Sequence, residues 1–397
     1  MEDSAVNRRD MLVAMAGAGV TGIAPRCFSQ DSGAPGNRVI VSRIGLVDGR
    51  VVMPITIGGK GPYLFLIDTG RATSMIEDEL ARELKLQVTG TVSARGIGGR
   101  AMLGTYMARD VVFGGGARQA TVSMAGMAGG FGARVRGALA AGMLTAVDGD
   151  LDIEAGQWRV YPDGRPDRSG FVKIEKAIRS NMNDRNRASP RLYGEVAVNG
   201  QAFDCLLDTG APGAISLSYD HGRRLRLWDD ARPFAPQGSS GIGGSGGIGR
   251  IVRADHAEFG GVRFERPLVL VRGPQDGSRG QHDGIVGLAL LRRFNLSTDV
   301  RAKALWVQPH GDTKSVQERY GLSGLWLERK GEEVRVAAVG TGSPAAGAGV
   351  AVNDQIIGLD FGAAIAKISG KPGQVVELNV AGASGSRVVK LTLQPFL

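Results

Sequence analysis

Residues 63–70 read YLFLIDTG, and residues 202–210 read AFDCLLDTG. In both stretches an apolar run rich in Leu and Ile, the composition of a buried strand, ends in the tripeptide Asp-Thr-Gly. The two aspartates are Asp68 and Asp208. The chain therefore carries the same strand-ending tripeptide twice, and this duplication decides the fold.

The duplication extends outward from the two tripeptides. Each apolar run follows a shorter strand and a turn, Gly58-Gly59 in the first copy and Asn199-Gly200 in the second, which is typical of a hairpin. Four further landmarks recur in the same order: 95–99 with 240–244, 113–115 with 259–261, 137–144 with 284–291, and 158–162 with 305–309. The repeat predicts two similar lobes, residues 38–162 and 191–310.

Length and composition favour several domains built from short strands. The chain has 397 residues, more than one core usually contains. Its 62 glycines are about twice the usual share, which indicates many tight turns. Each copy has one short helical candidate, clearest at residues 77–86, where Leu80 and Leu84 share a face. We therefore expect a mostly β protein.

The duplicated pattern resembles the aspartic peptidases, and within them the bacterial retropepsin-like proteins, over residues 38–310. The resemblance implies two β-barrel lobes related by a pseudo-twofold axis, each contributing one aspartate. Two carboxylates about 3 Å apart cannot both ionise, so they share one proton. One then acts as base and the other as acid toward a water that attacks a peptide carbonyl.

The same resemblance assigns roles to the residues of both tripeptides. Asp68 and Asp208 are the implied catalytic pair. The threonine hydroxyls brace the backbone of the opposite lobe, and the glycines let that backbone approach closely. These active-site support residues are Thr69, Gly70, Thr209 and Gly210.

Two Gly-rich segments fall where such peptidases carry mobile flaps that close over an extended peptide substrate. The alternative is a plain surface hairpin turn. The candidate flap and substrate-binding residues are Gly96, Ile97, Gly98, Gly99, Gly241, Ile242, Gly243 and Gly244.

The first copy departs from the family pattern in two places. Arg71 follows Gly70 where a small residue is usual, as at Ala211 in the second copy. A cation there would lower the carboxyl pKa values, unless Arg71 points to solvent or pairs with Glu77 or Asp78. Ala140 replaces the glycine found at Gly287, which is costly only if the backbone needs a positive φ.

The chain beyond the repeat resembles a PDZ domain from about residue 317 to 397. Residues 343–350 (SPAAGAGV) and 354–357 (DQII) carry this resemblance. It implies a loop whose amides receive a peptide C-terminal carboxylate; the alternative is a structural cap without a ligand. Residues 361–367 do not clearly encode the second helix that lines the usual groove. The predicted carboxylate loop is Gly324, Leu325, Trp326 and Leu327.

Two other segments have predicted roles. Residues 163–190 are polar and are interpreted as a linker with one strand at 171–176. Residues 1–30 resemble a twin-arginine export signal, with Arg8-Arg9 before a short apolar stretch. We expect a periplasmic or secreted protein without an integral membrane span after signal removal. The alternative is a disordered or membrane-tethering N-terminus.

Charge and Cys content limit the choice of partners. The formal net charge is +9, but the basic residues are scattered and no aromatic-basic interleaving occurs, so we expect no nucleic acid partner. Two Cys and four scattered His provide no metal framework, and no cofactor is implied. Cys205 lies in an apolar run and is expected to be a buried thiol.

Together these features predict an aspartic endopeptidase that hydrolyses extended peptides or proteins in the cell envelope, with a PDZ-like domain that docks a substrate or partner through a C-terminal peptide. Two other classes stay open at this point. One is a catalytically degenerate adaptor that binds peptides without cutting them. The other is a structural envelope protein that uses its basic surface to hold acidic partners.

Overall fold

Four β-sheets contain most of the chain in this computed structural model, which describes residues 38–96, 99–129, 134–165, 167–180, 190–241, 244–276, 282–310, 319–383 and 385–397. The first lobe has eleven strands and two short helices: β1 Ile40–Arg43, β2 Gly45–Val47, β3 Arg50–Ile57, β4 Lys60–Asp68, β5 Met75–Glu77, α1 Asp78–Glu83, β6 Gln87–Gly96, β7 Gly99–Phe113, β8 Ala117–Met127, β9 Val135–Ala140, α2 Gly142–Thr145, β10 Gly149–Asp152 and β11 Gln157–Val160.

The rest of the chain supplies the second lobe and a C-terminal unit. From the predicted linker to the end of the second lobe the elements are β12 Val172–Ile174, β13 Ile178–Arg179, β14 Arg191–Val198, β15 Gln201–Asp208, β16 Ile215–Leu217, α3 Tyr219–Arg224, β17 Ala235–Gly241, β18 Gly244–Arg253, β19 His256–Phe259, β20 Val262–Glu265, β21 Leu268–Val271, β22 Gly284–Gly287, α4 Leu288–Leu291, β23 Phe294–Asp299 and β24 Ala304–Pro309. The C-terminal unit contains β25 Leu325–Lys330, β26 Glu333–Val339, α5 Pro344–Gly347, β27 Gln355–Ile357, α6 Phe361–Ile368, β28 Val375–Gly382 and β29 Gly385–Thr392.

The two strands that end in aspartate occupy equivalent places in their lobes. β4 pairs antiparallel with β3 and parallel with β9, with Asp68 opposite Ala140. β15 pairs antiparallel with β14 and parallel with β22, with Asp208 opposite Gly287. A strand with neighbours on both edges and packing on both faces is buried, which explains the continuous apolar runs before each aspartate.

A six-stranded sheet joins the two lobes, in the order β1-β11-β10-β23-β24-β12. Three of its strands come from each half, and β10 meets β23 at its centre, where Leu151 pairs with Leu296. β1 and β12 are the outer strands, and each lies in the chain before the hairpin that carries the aspartate of its half. The strand order is therefore symmetric about the centre of the sheet, as the duplicated sequence predicts.

The predicted linker contributes to this sheet. The strand expected at 171–176 is β12, and β13 adds a further short pairing with β14. Arg165 Nε lies 2.9 Å from the buried carboxylate of Asp150, and Arg168 lies 3.1 Å from Asp148. Strand pairing and ion pairs thus fix parts of this polar segment to the sheet between the lobes.

The core of both lobes is one continuous apolar cluster. α1 is shorter than the predicted helix, but Leu80 is fully buried and Leu84 packs at the edge of the cluster, as their shared face predicts. Cys205 is also fully buried, and burial raises the pKa of its thiol far above the ordinary range. This agrees with an inert structural thiol.

The C-terminal unit has its own core, on which a five-stranded sheet in the order β25-β26-β27-β28-β29 packs with α5 and α6. The sequence interpretation was wrong to find no clear helix at 361–367, because α6 spans Phe361–Ile368. The Asp360 carboxylate caps it by accepting the Ala363 N–H at 2.8 Å, and Ala364 and Ile368 face the core.

Residues 1–30, where the export signal is predicted, lie outside the described residues. Within the described ranges, every helix is too short or too polar to cross a membrane.

Candidate active site

The two Asp-Thr-Gly loops meet where the lobes face each other. Asp68 ends β4 and is only 6% exposed, and Asp208 ends β15 and is partly exposed. The Asp68 carboxyl group packs against Gly210, and the Asp208 carboxyl group packs against Gly70. The structure therefore brings the two predicted catalytic residues together into one pair.

The two threonines connect the loops reciprocally. Thr69 Oγ1 donates to the carbonyl of Leu207 at 2.7 Å, and Thr209 Oγ1 donates to the carbonyl of Ile67 at 2.6 Å. Each hydroxyl also accepts the N–H of the other threonine, at 3.2 and 3.0 Å. Four buried hydrogen bonds thus fix one loop against the other, because each unmade bond would leave a buried polar group unsatisfied.

The two glycines are required by close approach across the lobe interface. A β-carbon added at Gly210 would lie 2.5 Å from Asp68 Cγ, and one added at Gly70 would overlap all three atoms of the Asp208 carboxyl group. Neither glycine has a positive φ. Their role is therefore to leave space for the opposite carboxyl group, since any side chain would push the pair apart.

The surroundings of the pair favour one shared proton. Burial raises the pKa of Asp208 to about 7, and the charge of Asp68 and a hydrogen bond to it act in the same direction. The N–H of Gly210 opposes this rise by donating to Asp208 Oδ1 at 2.8 Å, and the charge of Arg71 opposes it more weakly. The balance of these effects favours the protonated form of Asp208.

Arg71 interacts with the pair itself. Its Nε lies 2.5 Å from Asp68 Oδ2, and its side chain is 26% exposed. The alternative partners are engaged elsewhere, since Glu77 pairs with Arg136 and Asp78 accepts the hydroxyl of Tyr106. The guanidinium stabilises negative charge on Asp68, and this ion pair makes the two carboxyl groups inequivalent.

Removing this cation should shift the pH dependence of any cleavage upward. The Arg71 charge lowers the pKa of Asp208, so Arg71→Ala raises that pKa, and the proton that catalysis needs is lost only at higher pH. We expect the falling limb of kcat/KM, near pH 7 in the unmodified protein, to move up by about one pH unit in Arg71→Ala. Arg71→Lys keeps the charge and serves as the control. Superimposable profiles for Arg71→Ala and the unmodified protein would contradict this role.

The second departure from the family pattern has a local structural explanation. Gly287 N donates to the backbone carbonyl of Ala214 at 2.9 Å, and a β-carbon at Gly287 would lie 2.8 Å from the Ala211 carbonyl. In the first lobe, Ala140 N donates instead to the Ser74 side-chain hydroxyl at 3.0 Å. The Ala140 backbone has no positive φ. Alanine is therefore compatible with the backbone at this position.

The predicted flap residues lie at the tips of two hairpins. Gly96 pairs with Gly99 at the end of the β6–β7 hairpin, and Gly241 pairs with Gly244 at the end of the β17–β18 hairpin. The tip residues Ile97, Gly98, Ile242 and Gly243 lie outside the described residues. Both copies thus place the Gly-rich segment at the same kind of site.

The predicted carboxylate loop lies against the second lobe. Gly238 of β17 packs so closely on the Trp326 indole that a β-carbon would overlap the ring. Gly324 N donates to the Gly321 carbonyl at 3.1 Å, and Leu325 N donates to Ser323 Oγ at 3.2 Å. Those two amides have acceptors within the loop, which a bound carboxylate would displace. Leu327 is buried within β25.

Sequence reasoning missed Arg191, whose guanidinium reaches the first Asp-Thr-Gly loop, with its Nη1 3.5 Å from the Gly70 carbonyl oxygen. Arg191 begins β14 as Arg50 begins β3. A position-by-position comparison of the two copies would have shown an arginine at the start of both strands. No group of three or more His, Cys, Asp or Glu side chains within the described ranges is placed to hold a metal ion.

Comparison with known proteins agrees with this geometry. A family model described as aspartyl protease matches residues 53–147 and 194–290, together just under half of the chain, and each matched segment contains one Asp-Thr-Gly loop. No curated protein matched the chain. A solved structure of a retropepsin-like aspartic protease from Rickettsia conorii is similar at 19% identity and a TM-score of 0.24, over 35% of this chain and 89% of that chain. The family match to both lobes and the paired Asp-Thr-Gly loops together support an aspartic peptidase.

Proposed function

We propose that the protein is an aspartic endopeptidase that cleaves extended peptide or protein segments between its two lobes. The observation that carries this proposal is the pair formed by Asp68 and Asp208, whose loops the reciprocal threonine bonds fix and whose carboxyl groups each pack on the glycine of the other loop. Such a pair can donate and accept a proton at the same pH, which is what hydrolysis by an activated water requires.

The asymmetry of the pair assigns the two roles. Asp68, ionised beside Arg71, takes a proton from a water whose oxygen attacks the peptide carbonyl carbon. Asp208 gives its proton to the carbonyl oxygen, which forms a tetrahedral diol. In the second step Asp68 gives the proton that it took from water to the amide nitrogen, and Asp208 takes a proton from one hydroxyl of the diol. The C–N bond breaks, which yields a carboxylic acid and an amine, and the pair again holds a single proton on Asp208.

Substrate capture would use the two Gly-rich hairpins. As flaps, the β6–β7 and β17–β18 hairpins would cover an extended peptide and exclude water from the carboxyl pair. Backbone hydrogen bonds along the peptide would give affinity without fixing its sequence.

For the C-terminal unit we propose a PDZ-like docking role. β25 is the edge strand of its sheet and α6 packs beside it, so a peptide could add to this edge as a strand. Docking would raise the local concentration of a substrate or partner near the cleft. Export by the segment 1–30 would place this activity in the periplasm or outside the cell.

The test is incubation of the protein, without residues 1–30, with a peptide library from pH 3 to 8, followed by mass spectrometry of the products. We expect discrete internal cleavages, strongest at mildly acidic pH, that a hydroxyl-bearing peptide mimic of the diol suppresses. Binding of library peptides without any cleavage across this pH range would indicate a non-cleaving adaptor and would overturn the proposal.

A further inference from the structure

Arg191 lies beside the catalytic pair on the second lobe. It is two residues before Tyr193, which pairs with Leu206, and Asp208 is two residues after Leu206. Residues that face each other in an antiparallel pair project from the same face of the sheet. Arg191 and Asp208 are therefore level with each other on one face.

The Arg191 guanidinium extends across the lobe interface. Its Nη1 lies 3.5 Å from the carbonyl oxygen of Gly70, the residue that packs on the Asp208 carboxyl group. The cation thus contacts the loop that carries Asp68. A peptide lying over the pair would pass within reach of it.

Arg191 differs from the other partly buried arginines near the lobe interface. Arg71, Arg165 and Arg168 each pair with a carboxylate within 4 Å. Among the described residues no carboxylate comes that close to Arg191, whose contacts are the Gly70 carbonyl and the Tyr193 ring, 5.8 Å away. A partly desolvated guanidinium without a counter-charge has unused capacity to bind an anion.

The charge of Arg191 acts on a neighbouring side chain. Burial, then the charges of Arg272 and Arg191, lowers the pKa of His282 to about 4. His282 is therefore neutral where the peptidase would work, and Arg191 contributes to a positive field on this side of the cleft. The formal net charge of +9 acts in the same sense on an approaching acidic chain.

We propose that Arg191 binds an acidic side chain of the substrate close to the scissile bond, so that the cleft selects peptides with Asp or Glu at one defined position. This inference rests on the proposed peptidase function. A guanidinium that binds a carboxylate forms charge-assisted, often bidentate hydrogen bonds, which discriminate a carboxylate from the isosteric amide. Arg191 would then be a specificity-determining residue of the site.

The experiment compares peptides that differ only by Glu or Gln, one position at a time, on both sides of a cleaved bond. At one position we expect the unmodified protein to prefer Glu by roughly tenfold or more in kcat/KM, mainly through KM. Arg191→Gln should abolish that preference, and Arg191→Glu should reverse it in favour of Lys at the same position. Arg301→Gln, which removes an exposed arginine in the β23–β24 turn, is the control for net charge.

Two outcomes would overturn the inference: equal rates for Glu and Gln peptides at every position, or a Glu preference that persists in Arg191→Gln. A purely structural role for Arg191 would lower kcat for all peptides equally and leave their ratio unchanged. If no peptide is cleaved, the same peptides are titrated into Asp68→Asn by fluorescence anisotropy. If the Glu peptide binds more tightly than the Gln peptide, and the additional change Arg191→Gln abolishes this difference, the inference is supported even though the peptidase function fails. Equal binding of the two peptides contradicts the inference.

Discussion

Asp68→Asn and Asp208→Asn should each lower kcat for peptide hydrolysis by roughly 10³-fold or more, the effect expected when a group that transfers protons in the transition state is lost. An asparagine keeps the size of the side chain and can still form hydrogen bonds, but it can neither accept the water proton nor deliver one to the carbonyl oxygen. Because the carboxyl groups act as one unit, the double variant should be little worse than either single variant.

The matched control is Asp204→Asn. Asp204 lies on the same strand, β15, but is exposed and pairs with Arg179 at 2.5 Å. Its loss removes one carboxylate of the same lobe without touching the pair, so kcat should stay within about twofold of the unmodified protein. Single-turnover cleavage of one peptide, followed by mass spectrometry, compares the four variants with the unmodified protein. Residual turnover above one tenth in either catalytic variant would mean that the water is activated elsewhere.

Gly70→Ala and Gly210→Ala should cause the second largest loss. Each added methyl group would overlap the carboxyl group of the opposite lobe, so the pair must separate. A displacement of about 1 Å at the reacting groups can reduce turnover by roughly 10²-fold. Stability should fall as well, by about 1–3 kcal/mol, because the threonine bonds that fix the loops must stretch or break.

Gly104→Ala is the control for the glycine pair. Gly104 lies in β7, its φ is not positive, and a β-carbon there meets no atom within 4 Å. Kinetic assays with thermal melting should therefore show near-normal activity and stability for this variant. Normal activity in both Gly70→Ala and Gly210→Ala would show that the loops are farther apart in solution than the structure has them.

The sequence predicted those features that rest on a duplicated motif or on a periodic pattern of apolar residues. The repeated apolar strand with Asp-Thr-Gly predicted the equivalent positions of β4 and β15, because a strand with neighbours on both edges needs a continuous apolar run. The recurrence of the Gly-rich segments predicted the two hairpin tips. Leu80 and Leu84 predicted α1 through their spacing on one helical face.

The features that the sequence did not predict depend on contacts between distant segments. The helix α6 has only eight residues, with Gly362 in its first turn, so its packing on the C-terminal core decides it. Similarly, the partner of Arg71 could not be chosen among Asp68, Glu77 and Asp78 from spacing alone. Arg136, on a different strand, forms an ion pair with Glu77, and Arg71 pairs with Asp68.

The position of Arg191 also follows from tertiary structure. In the sequence it is one arginine among many in a polar stretch. Only the pairing of β14 with β15 and the closure of the two lobes bring its guanidinium to the Gly70 carbonyl. Functional residues that act across a lobe interface are therefore those that a single sequence shows least clearly.

The central claim is that one carboxyl group from each lobe acts on a single water molecule. A crystal structure of the protein with a hydroxyl-bearing peptide mimic of the tetrahedral diol tests this most directly, since the hydroxyl takes the position of the attacking water. We expect that hydroxyl within hydrogen-bonding distance of both Asp68 and Asp208, with the peptide extended between the hairpins. A mimic bound away from the pair, or two aspartates that lie well apart and face bulk solvent, would contradict the claim.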